Sequence, residues 1–499
     1  MDRRQFIASA LSTAVLGRAA SSKPNLLFVM TDQQRFSALS CAGNRVLKTP
    51  NLDRLAAEGA RYETAITPCP VCVPARTSIL TGKSIFTTGV VGNNFATDTE
   101  LDVGPSFDNL LAARGYSTEY YGKYHAPYKM ARTYKNAVPY AGARVPGAPS
   151  ERQEFLEYLN KYVPARPLQP GERMSKDYER PYTPAILDAS YNDPSVQPGQ
   201  GDVFGCVHIP KEHSFVAYTV DQAIDSMERL KNGPFSITCS IGPPHPPFLN
   251  VEPYWGMYRA ADIPLPENFK HDMSDSPYRE RAAAPVMAPY KIPENVKAGL
   301  SIYYGMVKEV DDNVGRLLRR LDQLGLRENT LIVFTSDHGE MMGAHGMGSK
   351  FVFYEESVRV PLLMRFPGRI KPGTVSADPV STMDLYATIL DYLGVDAPPR
   401  ESCSLRAGKS PDFRVSEWHG NNIPNFMVRT RDWKLIMAKD PASKAHDALF
   451  NLKEDPFEIR NVIGSNPKQA NELKDRLLAY LDGTNSPLKS SVKERKLVA

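Results

Sequence analysis

The stretch Asn25-Leu26-Leu27-Phe28-Val29-Met30-Thr31-Asp32 indicates the fold of this 499-residue chain most directly. It is an almost continuous apolar run that ends at a threonine and an aspartate. Such a run is typical of a strand that is buried on both faces, as in a parallel sheet. A polar residue at the carboxyl end of the strand lies where open α/β sheets bind their ligands.

A second part of the chain repeats this pattern. Residues 302–324 carry apolar side chains at helical spacing, and Gly325 suits the end of a helix. Residues 330–335 form another apolar run, which ends at Ser336-Asp337-His338-Gly339. Two hydrophobic strands therefore end in residues that can bind a metal. We expect an α/β fold in which the carboxyl ends of these strands lie side by side.

Composition excludes several classes of protein. The formal net charge of +4 is small for a chain of this length and gives no sign of nucleic-acid binding. The six cysteines are sparse and irregular, so they form no disulfide framework, although one or two bridges remain open. No stretch approaches the ~20 uninterrupted apolar residues of a membrane-spanning helix. We therefore expect a soluble mature protein without stable membrane insertion.

The first 22 residues have the pattern of an export signal. Arg3 and Arg4 precede a bulky apolar residue and a short, mildly apolar run, which resembles a twin-arginine signal. An ordinary secretory signal is the alternative, because its first residues are also basic. Either signal predicts a periplasmic or secreted protein, and the twin-arginine route would export it already folded.

Three regions follow the signal. Residues 23–400 are predicted to form the α/β domain, and the proline- and tyrosine-rich residues 135–215 are predicted to be an insertion near the substrate. Residues 401–499 are predicted to form a smaller α+β subdomain with a short antiparallel sheet. Its strands are expected at residues 416–418, 427–429, 433–436 and 448–452, and a helix at 471–481.

The stretch Cys72-Val73-Pro74-Ala75-Arg76, continuing to Leu80-Thr81-Gly82-Lys83, is a rare combination. Most single cysteines are small core residues, which is the simplest interpretation of Cys72. Cys69 and Cys72 also form a CxxC pair, which can be a redox pair or half of a zinc site. No second CxxC completes a zinc site, and Pro70 and Pro74 crowd the region, which argues against a redox helix.

With these residues, the chain resembles the formylglycine-dependent sulfatases of the alkaline phosphatase superfamily. The matching elements follow the order that this family shows: Asp32-Gln33, the Cys72 motif, Gly122-Lys123-Tyr124-His125, Pro244-His245-Pro246, Ser336-Asp337-His338-Gly339-Glu340, Lys350 and Leu449-Phe450-Asn451-Leu452. They cover nearly the whole mature chain. The resemblance implies a large mixed, mostly parallel central sheet flanked by helices, with a smaller C-terminal subdomain.

The resemblance also implies a hydrolase that converts a sulfate ester to an alcohol and inorganic sulfate. Cys72 would be oxidised to formylglycine by a formylglycine-generating enzyme and would act as the nucleophile in its hydrated, geminal-diol form. An exported enzyme with proline-rich loops fits a carbohydrate sulfate, as a small molecule or an oligosaccharide. Choline sulfate and aryl sulfates remain open, and the sequence does not indicate the oligomeric state.

One divalent metal is implied as a cofactor. Its ligands would be Asp32, Gln33, Asp337 and His338, together with residue 72. Mostly oxygen ligands favour Ca²⁺, Mg²⁺ or Mn²⁺ over zinc. Many sulfatases have Asp and Asn where this chain has Gln33 and His338. Ca²⁺ is the first choice from the resemblance, and the imidazole shifts the balance toward Mn²⁺.

Six residues are assigned catalytic roles through the resemblance: Cys72, Arg76, Lys123, His125, His245 and Lys350. Residue 72 is the nucleophile, and His125 is the base that helps to release sulfate. Arg76, Lys123 and Lys350 would hold the diol and the sulfate oxygens. His245 would donate a proton to the leaving oxygen. Taken singly, these lysines would be solvated surface charges and His245 a loop residue.

Two other functions remain open. A phosphonate monoester or phosphodiester hydrolase of the same superfamily can share the formylglycine and the Asp/Gln/Asp/His metal set. A binding protein that kept the fold without catalysis is the third hypothesis. The intact set of Cys72, Lys123, His125 and the metal ligands argues against that third hypothesis.

Overall fold

The computed structural model describes residues 23–97, 100–136, 150–185, 203–407, 411–419, 424–437 and 446–498. The predicted export signal, residues 1–22, lies outside the described residues, as do parts of the predicted insertion. No helix in the described part of the chain combines the length and the apolar character needed to cross a membrane.

Strands and helices alternate through the first two thirds of the chain. The strands are Asn25–Thr31 (β1), Ala60–Tyr62 (β2), Ala65–Ile66 (β3), Ser117–Gly122 (β4), Arg173–Met174 (β5), Pro181–Pro184 (β6), Phe204–Val207 (β7), Phe235–Ile241 (β8), Phe248–Asn250 (β9), Thr330–Ser336 (β10), Leu362–Arg365 (β11), Thr374–Ser376 (β12), Val380–Ser381 (β13), Phe413–Trp418 (β14), Asn425–Thr430 (β15), Trp433–Met437 (β16) and Ala448–Asn451 (β17). The α-helices are Pro50–Ala57, Cys72–Thr81, Ile85–Thr88, Phe107–Ala113, Glu151–Tyr162, Phe215–Leu230, Arg279–Ala283, Pro293–Gln323, Glu355–Val358, Leu385–Leu393, Pro467–Gly483 and Leu488–Glu494.

A seven-stranded central sheet has the order β12-β2-β11-β10-β1-β8-β4. β1 pairs in parallel with both β10 and β8, and β4 pairs in parallel with β8. β11 runs antiparallel to β10 and to β2, which makes the sheet mixed. The mixed, mostly parallel sheet that the sequence predicts is therefore confirmed.

β1 lies at the centre of the core because its side chains alternate between two helical layers. Phe28 packs with Ile79 and Phe107 in the cluster on one face. Val29 packs with Val220 and Val314 in the cluster on the other face. Every residue of β1 is buried, as expected for an apolar run without alternation.

The end of the chain forms a separate small sheet. β14, β15, β16 and β17 are antiparallel neighbours, and the helix Pro467–Gly483 packs Leu473 and Leu477 against them. The predicted strands and helix are confirmed here. The helix begins earlier than expected because Pro467 occupies its first turn, where a missing N–H costs nothing. The division of the chain at residue 401 stays a prediction.

Candidate active site

Asp32 and Asp337 leave the central sheet at the same edge. The register pairs Thr31 with Ser336, so the residue after each strand enters the same region. The backbone N–H of Gln33 donates to Asp337 Oδ1 at 3.1 Å and ties the two loops together. The expectation that the two strand ends lie side by side is confirmed.

The predicted metal ligands form a compact buried cluster. Ligand atoms of Asp32, Cys72, Asp337 and His338 all lie within 4.8 Å of one another. Burial and the neighbouring Asp32 raise the pKa of Asp337. Burial also acts to raise the pKa of Asp32, but Lys123 and other cations outweigh it and lower that pKa. A divalent cation would relieve the repulsion between these carboxylates, so the cluster suits one.

His338 offers Nε2 to this cluster. Its Nδ1 carries the proton, because it lies 3.0 Å from the carbonyl oxygen of Gly339, which can only accept. Nε2 lies 3.1 Å from Cys72 Sγ and 3.7 Å from Oδ1 of both Asp32 and Asp337. A bare imidazole nitrogen whose other nitrogen is held by a carbonyl is a common form of metal ligand. Together with the carboxylate and amide oxygens, it fits a hard divalent cation.

Cys72 is the first residue of the helix Cys72–Thr81, where the partial positive charge of the helix end favours an anion. Pro74 lies in the first turn, where no N–H is needed for the helix ladder. Burial and Asp32 act to raise the pKa of the Cys72 thiol, but Lys350, Lys123 and His338 outweigh them and lower it well below its ordinary value. The residue at position 72 is therefore held where negative charge is stabilised.

Two lysines face this position. Lys350 Nζ lies 3.2 Å from Cys72 Sγ and donates to Gln33 Oε1 at 2.7 Å. Lys123 Nζ lies 2.7 Å from Asp32 Oδ2. Burial acts to lower the pKa of Lys123, but the Asp32 carboxylate outweighs it and raises that pKa. Lys350 is buried and Lys123 nearly so, which excludes the solvated-surface interpretation of both.

Arg76 is fully buried and joins the two carboxylates. Its Nε donates to Asp337 Oδ2 at 2.7 Å, and its Nη2 donates to Asp32 Oδ2 at 3.1 Å. Its Nη1 donates to the carbonyl oxygen of Lys123 and to Ser240 Oγ. The Arg76 guanidinium thus donates its hydrogen bonds to the residues around the site. The prediction from the resemblance is different, since there it donates to the diol and to sulfate oxygens.

His125 and His245 approach Cys72 from the other side. Burial lowers the pKa of His125, although Cys72 opposes the shift, and its buried Nδ1 has no hydrogen-bond partner among the described residues. Burial, with Lys123 and Lys350, lowers the pKa of His245 to about 4. His245 Nδ1 donates to the carbonyl oxygen of Pro246 at 2.7 Å. Both imidazoles are therefore neutral near pH 7.

A pocket of about 270 Å³ opens beside Lys123 and His245. Its outer wall comes from the predicted insertion and from the helix that follows it: Arg152, Phe155, Asp177, Tyr178 and Phe215. The segment from Gly242 to Pro247 forms the opposite wall. This volume lies just below the range of about 300–1,000 Å³ that is usual for small-molecule sites.

The structure brings together all ten predicted site residues: Asp32, Gln33, Cys72, Arg76, Lys123, His125, His245, Asp337, His338 and Lys350. Cys69 packs with Val71 and Ile85 in a small apolar cluster and makes no contact that would support a CxxC site. Sequence reasoning assigned no role to Ser240 or Glu340. Ser240 lies near the end of the buried strand β8, so the strand-end argument that identified Asp32 could have found it.

Comparisons with known proteins agree with this geometry. The Sulfatase family model matches residues 24–395. A second model, described as N-sulphoglucosamine sulphohydrolase, C-terminal, matches residues 343–485. The first match alone covers more than half of the chain, and it contains all ten site residues.

One relative and two solved structures illustrate the similarity. An ulvan-active sulfatase of Formosa agariphila is 29% identical over 495 residues, covering 95% of this chain and 83% of its own length. A phosphonate monoester hydrolase from Silicibacter pomeroyi has a TM-score of 0.73 at 22% identity, covering 92% of this chain and 96% of that one. A protein solved with its substrate D-glucosamine-2-N,6-O-disulfate has a TM-score of 0.68 at 22% identity, covering 95% and 100%.

Proposed function

This chain belongs to the sulfatase family, and we propose that it hydrolyses a carbohydrate sulfate ester to an alcohol and inorganic sulfate. Residue 72 acts as the nucleophile after conversion of Cys72 to formylglycine, with one divalent metal at Asp32, Gln33, Asp337, His338 and residue 72. Ca²⁺ is the metal we favour, ahead of Mn²⁺ and Mg²⁺, because most of the donors are oxygens.

The observation that carries this proposal is the group of three buried cations around position 72. Arg76 and Lys123 contact the carboxylates of Asp32 and Asp337, whereas Lys350 contacts residue 72 and the amide of Gln33 and forms no salt bridge with any residue that the structure describes. Buried charges are costly unless they are paired. An anionic group such as a sulfate ester would therefore be stabilised at this site, with Lys350 as its partner.

The proposed chemistry divides between the bound groups and the residues of the chain. A divalent metal at this site offsets the repulsion between an anionic ester and its nucleophile and polarises the sulfuryl oxygens. Hydrated formylglycine would supply two hydroxyls. One would lose its proton to solvent and attack sulfur while the alcohol leaves with a proton from His245. The other would give its proton to His125, so that the carbonyl re-forms, the C–O bond to sulfur's oxygen breaks and sulfate leaves. Lys123 and Lys350 stabilise the negative charge on the diol and the sulfate oxygens.

The two histidines move protons in this proposal. Neutral His125 has a buried, unpartnered Nδ1 and accepts the proton of the second hydroxyl. His245 faces the pocket that receives the leaving group. Its Nδ1 proton is held by Pro246, so Nε2 must gain a proton before it can donate one to the leaving oxygen. An anionic ester nearby raises the pKa of His245 and favours that gain. Arg76 acts as a positioning residue for the two carboxylates.

The pocket supports a sugar as the leaving group. Phe155 and Tyr178 line it with aromatic side chains, against which the C–H groups of a sugar ring can pack. Arg152 and Asp177 lie at the exposed side of the same pocket, where they can hydrogen-bond to ring hydroxyls. The names of the ulvan-active sulfatase and of the glucosamine disulfate complex point to the same class of substrate.

A phosphonate monoester or phosphodiester hydrolase is the second candidate. It is favoured by the Asp32-Gln33 and Asp337-His338 pairs and by the similarity to the phosphonate monoester hydrolase. Both kinds of ester carry a single negative charge, so the three buried cations do not discriminate between them. The fold is shared, and the difference must lie in the shape around the reacting centre.

We also propose export through the twin-arginine-type signal in residues 1–22, to the periplasm or the exterior. A formylglycine-generating enzyme would modify Cys72 before export. The test is to change Arg3 and Arg4 both to Lys and to measure the activity in the periplasmic fraction. Loss of that activity would support this route. Unchanged export of that variant would contradict it.

The proposed function is tested by measuring kcat/KM for sulfated monosaccharides, an aryl sulfate, an aryl phosphonate monoester and a phosphodiester in parallel. We expect the highest kcat/KM on a sulfated sugar. A higher value on either phosphorus substrate would replace the proposal by the second candidate. Absence of turnover on every ester, despite formylglycine and bound metal, would leave the binding-protein hypothesis.

A further inference from the structure

The side-chain amide of Gln33 lies between an anion and a cation. Its Nε2 donates to Glu340 Oε2, and its Oε1 accepts from Lys350 Nζ at 2.7 Å. Its backbone is held separately, since its N–H donates to Asp337 and its carbonyl accepts from Tyr303. Rotating the amide by half a turn would place its oxygen against the carboxylate and its NH₂ group against the ammonium.

Glu340 is itself fixed in one orientation. Its Oε1 accepts the backbone N–H of Met342 at 2.8 Å and that of Ser349 at 2.7 Å. Its other oxygen, Oε2, therefore points at Gln33. The Glu340 side chain is fully buried, so water does not compete for these bonds.

We propose that Glu340 is a positioning residue that presents the oxygen of Gln33, and not its nitrogen, to the divalent metal. A carboxylate ligand needs no such device, because its two oxygens are equivalent. An amide has one donor end and one acceptor end of similar size, and only the acceptor end binds a cation. This inference rests on the metal site of the proposed function and adds a role for a residue outside the ligand set.

The geometry predicts what an isosteric change does. In Glu340→Gln, the two backbone N–H groups hold the new amide at position 340 with its oxygen toward them, which turns its NH₂ group toward Gln33. The Gln33 amide can then satisfy that donor only by flipping, which turns its own NH₂ group toward Lys350 and the metal. If it does not flip, its NH₂ group faces the NH₂ group at position 340, so either arrangement leaves two donors opposed beside the metal ligand. In the double variant Glu340→Gln/Gln33→Glu, the new carboxylate at position 33 accepts from the amide at position 340 with one oxygen and faces the metal with the other.

The test is a calorimetric titration of the metal-free full-length protein with Ca²⁺ and, in parallel, with Mn²⁺. We expect Glu340→Gln to bind at least about tenfold more weakly than the unchanged protein, as outer-shell changes do. We expect the double variant to recover the affinity. Glu119→Gln removes another buried carboxylate, which pairs with Arg229 away from the site, and should leave the affinity unchanged.

Each outcome bears on one claim. Unchanged affinity of Glu340→Gln overturns the positioning role. A double variant that folds without regaining metal affinity also overturns the positioning role. So does a double variant that does not fold, because exchanging the amide and the carboxylate between positions 33 and 340 preserves their hydrogen bond. If Glu340→Gln fails to fold and the double variant folds and binds metal, the role is supported. If the unchanged protein binds neither cation, the proposed metal site fails, which is a separate result.

Discussion

Two buried clusters of charge lie in this molecule, and they are built differently. The Cys72 site has three cations, Arg76, Lys123 and Lys350, against the carboxylates of Asp32 and Asp337. The Lys434 cluster consists of Glu355, Arg429, Lys434 and Glu458 and joins the C-terminal sheet to the main domain.

In the Lys434 cluster, each cation contacts a carboxyl group. Lys434 Nζ lies 2.7 Å from Glu355 Oε1, 2.7 Å from Glu458 Oε1 and 3.0 Å from the carbonyl oxygen of Phe353. Arg429 Nε lies 3.2 Å from Glu355 Oε1, and Arg359 Nη1 lies 3.8 Å from Glu355 Oε2. In the Cys72 site, by contrast, Lys350 contacts Gln33 and residue 72 and forms no salt bridge among the described residues. The difference indicates that the Lys434 cluster is structural, whereas the Cys72 site offers an ammonium that can bind an anion.

The largest predicted effect is on the Cys72 site. We expect Cys72→Ala to lower kcat by about 10⁴-fold or more, because the proposed nucleophile is lost. The thermal midpoint should hardly change, since the side chain that remains is still small and apolar. Steady-state kinetics and calorimetry on one preparation give both values. A variant that keeps its turnover would remove residue 72 from the reaction.

Breaking the Lys434 cluster should affect stability and not chemistry. We expect Lys434→Met to lower the free energy of unfolding by about 3–5 kcal/mol, because the buried Glu355 carboxylate loses a cation that it shares with the Glu458 carboxyl group. The folded fraction should keep its kcat. Denaturant unfolding measures the first quantity and active-site-normalised kinetics the second. A selective loss of kcat in fully folded protein would contradict the distinction between the clusters.

The matched change in the Cys72 site is Lys350→Met. We expect a loss of roughly 10²–10³ in kcat/KM, the usual effect of removing one donor to a developing negative charge. Stability should fall much less than in Lys434→Met, since Lys350 forms no salt bridge in the described part of the chain and its removal strands no partner carboxylate. The same two assays apply. If the two lysine variants lose equal stability, the pairing of the two lysines does not distinguish the sites.

A further predicted effect is a pH dependence of stability. Burial, together with Glu355 and Glu356, raises the pKa of Glu458 to about 8, although Lys434 opposes the shift. Between its ordinary value near 4.5 and about 8, the folded protein therefore keeps a proton that the unfolded chain releases. Stability falls as pH rises through this window, by at most about 1.4 kcal/mol per pH unit.

Glu458→Gln cannot ionise and should flatten this part of the stability curve. Denaturant unfolding at several pH values, compared with the unchanged protein, measures the difference in slope. Identical slopes for the two proteins would show that Glu458 does not hold the proton.

The strands that carry metal ligands could be predicted from sequence because their apolar runs are long and end in polar residues. The expected ends of β1 and β10 differ from the observed ends by one residue. The expected proximity of Asp32 and Asp337 is also observed. The C-terminal strands were located less closely, since β14 was expected only at 416–418 and begins at Phe413, and β15 was expected at 427–429 and spans Asn425–Thr430.

The charged contacts could not be predicted in the same way. Lys434, Glu458 and Arg76 are buried, but charged residues in a sequence normally indicate surface. Their partners come from segments far apart in the chain, and no local spacing marks them. The composition of the pocket was equally hidden, because the insertion that supplies Arg152 and Tyr178 has little periodicity.

The central claim is that position 72 carries a formylglycine, and mass spectrometry of the tryptic peptide 62–76 from protein made in its native host tests it most directly. We predict a peptide in which residue 72 has lost its sulfur while Cys69 keeps its thiol, and which reacts with a hydrazide as an aldehyde does. Catalytically active protein in which Cys72 is an unmodified thiol throughout would contradict the claim.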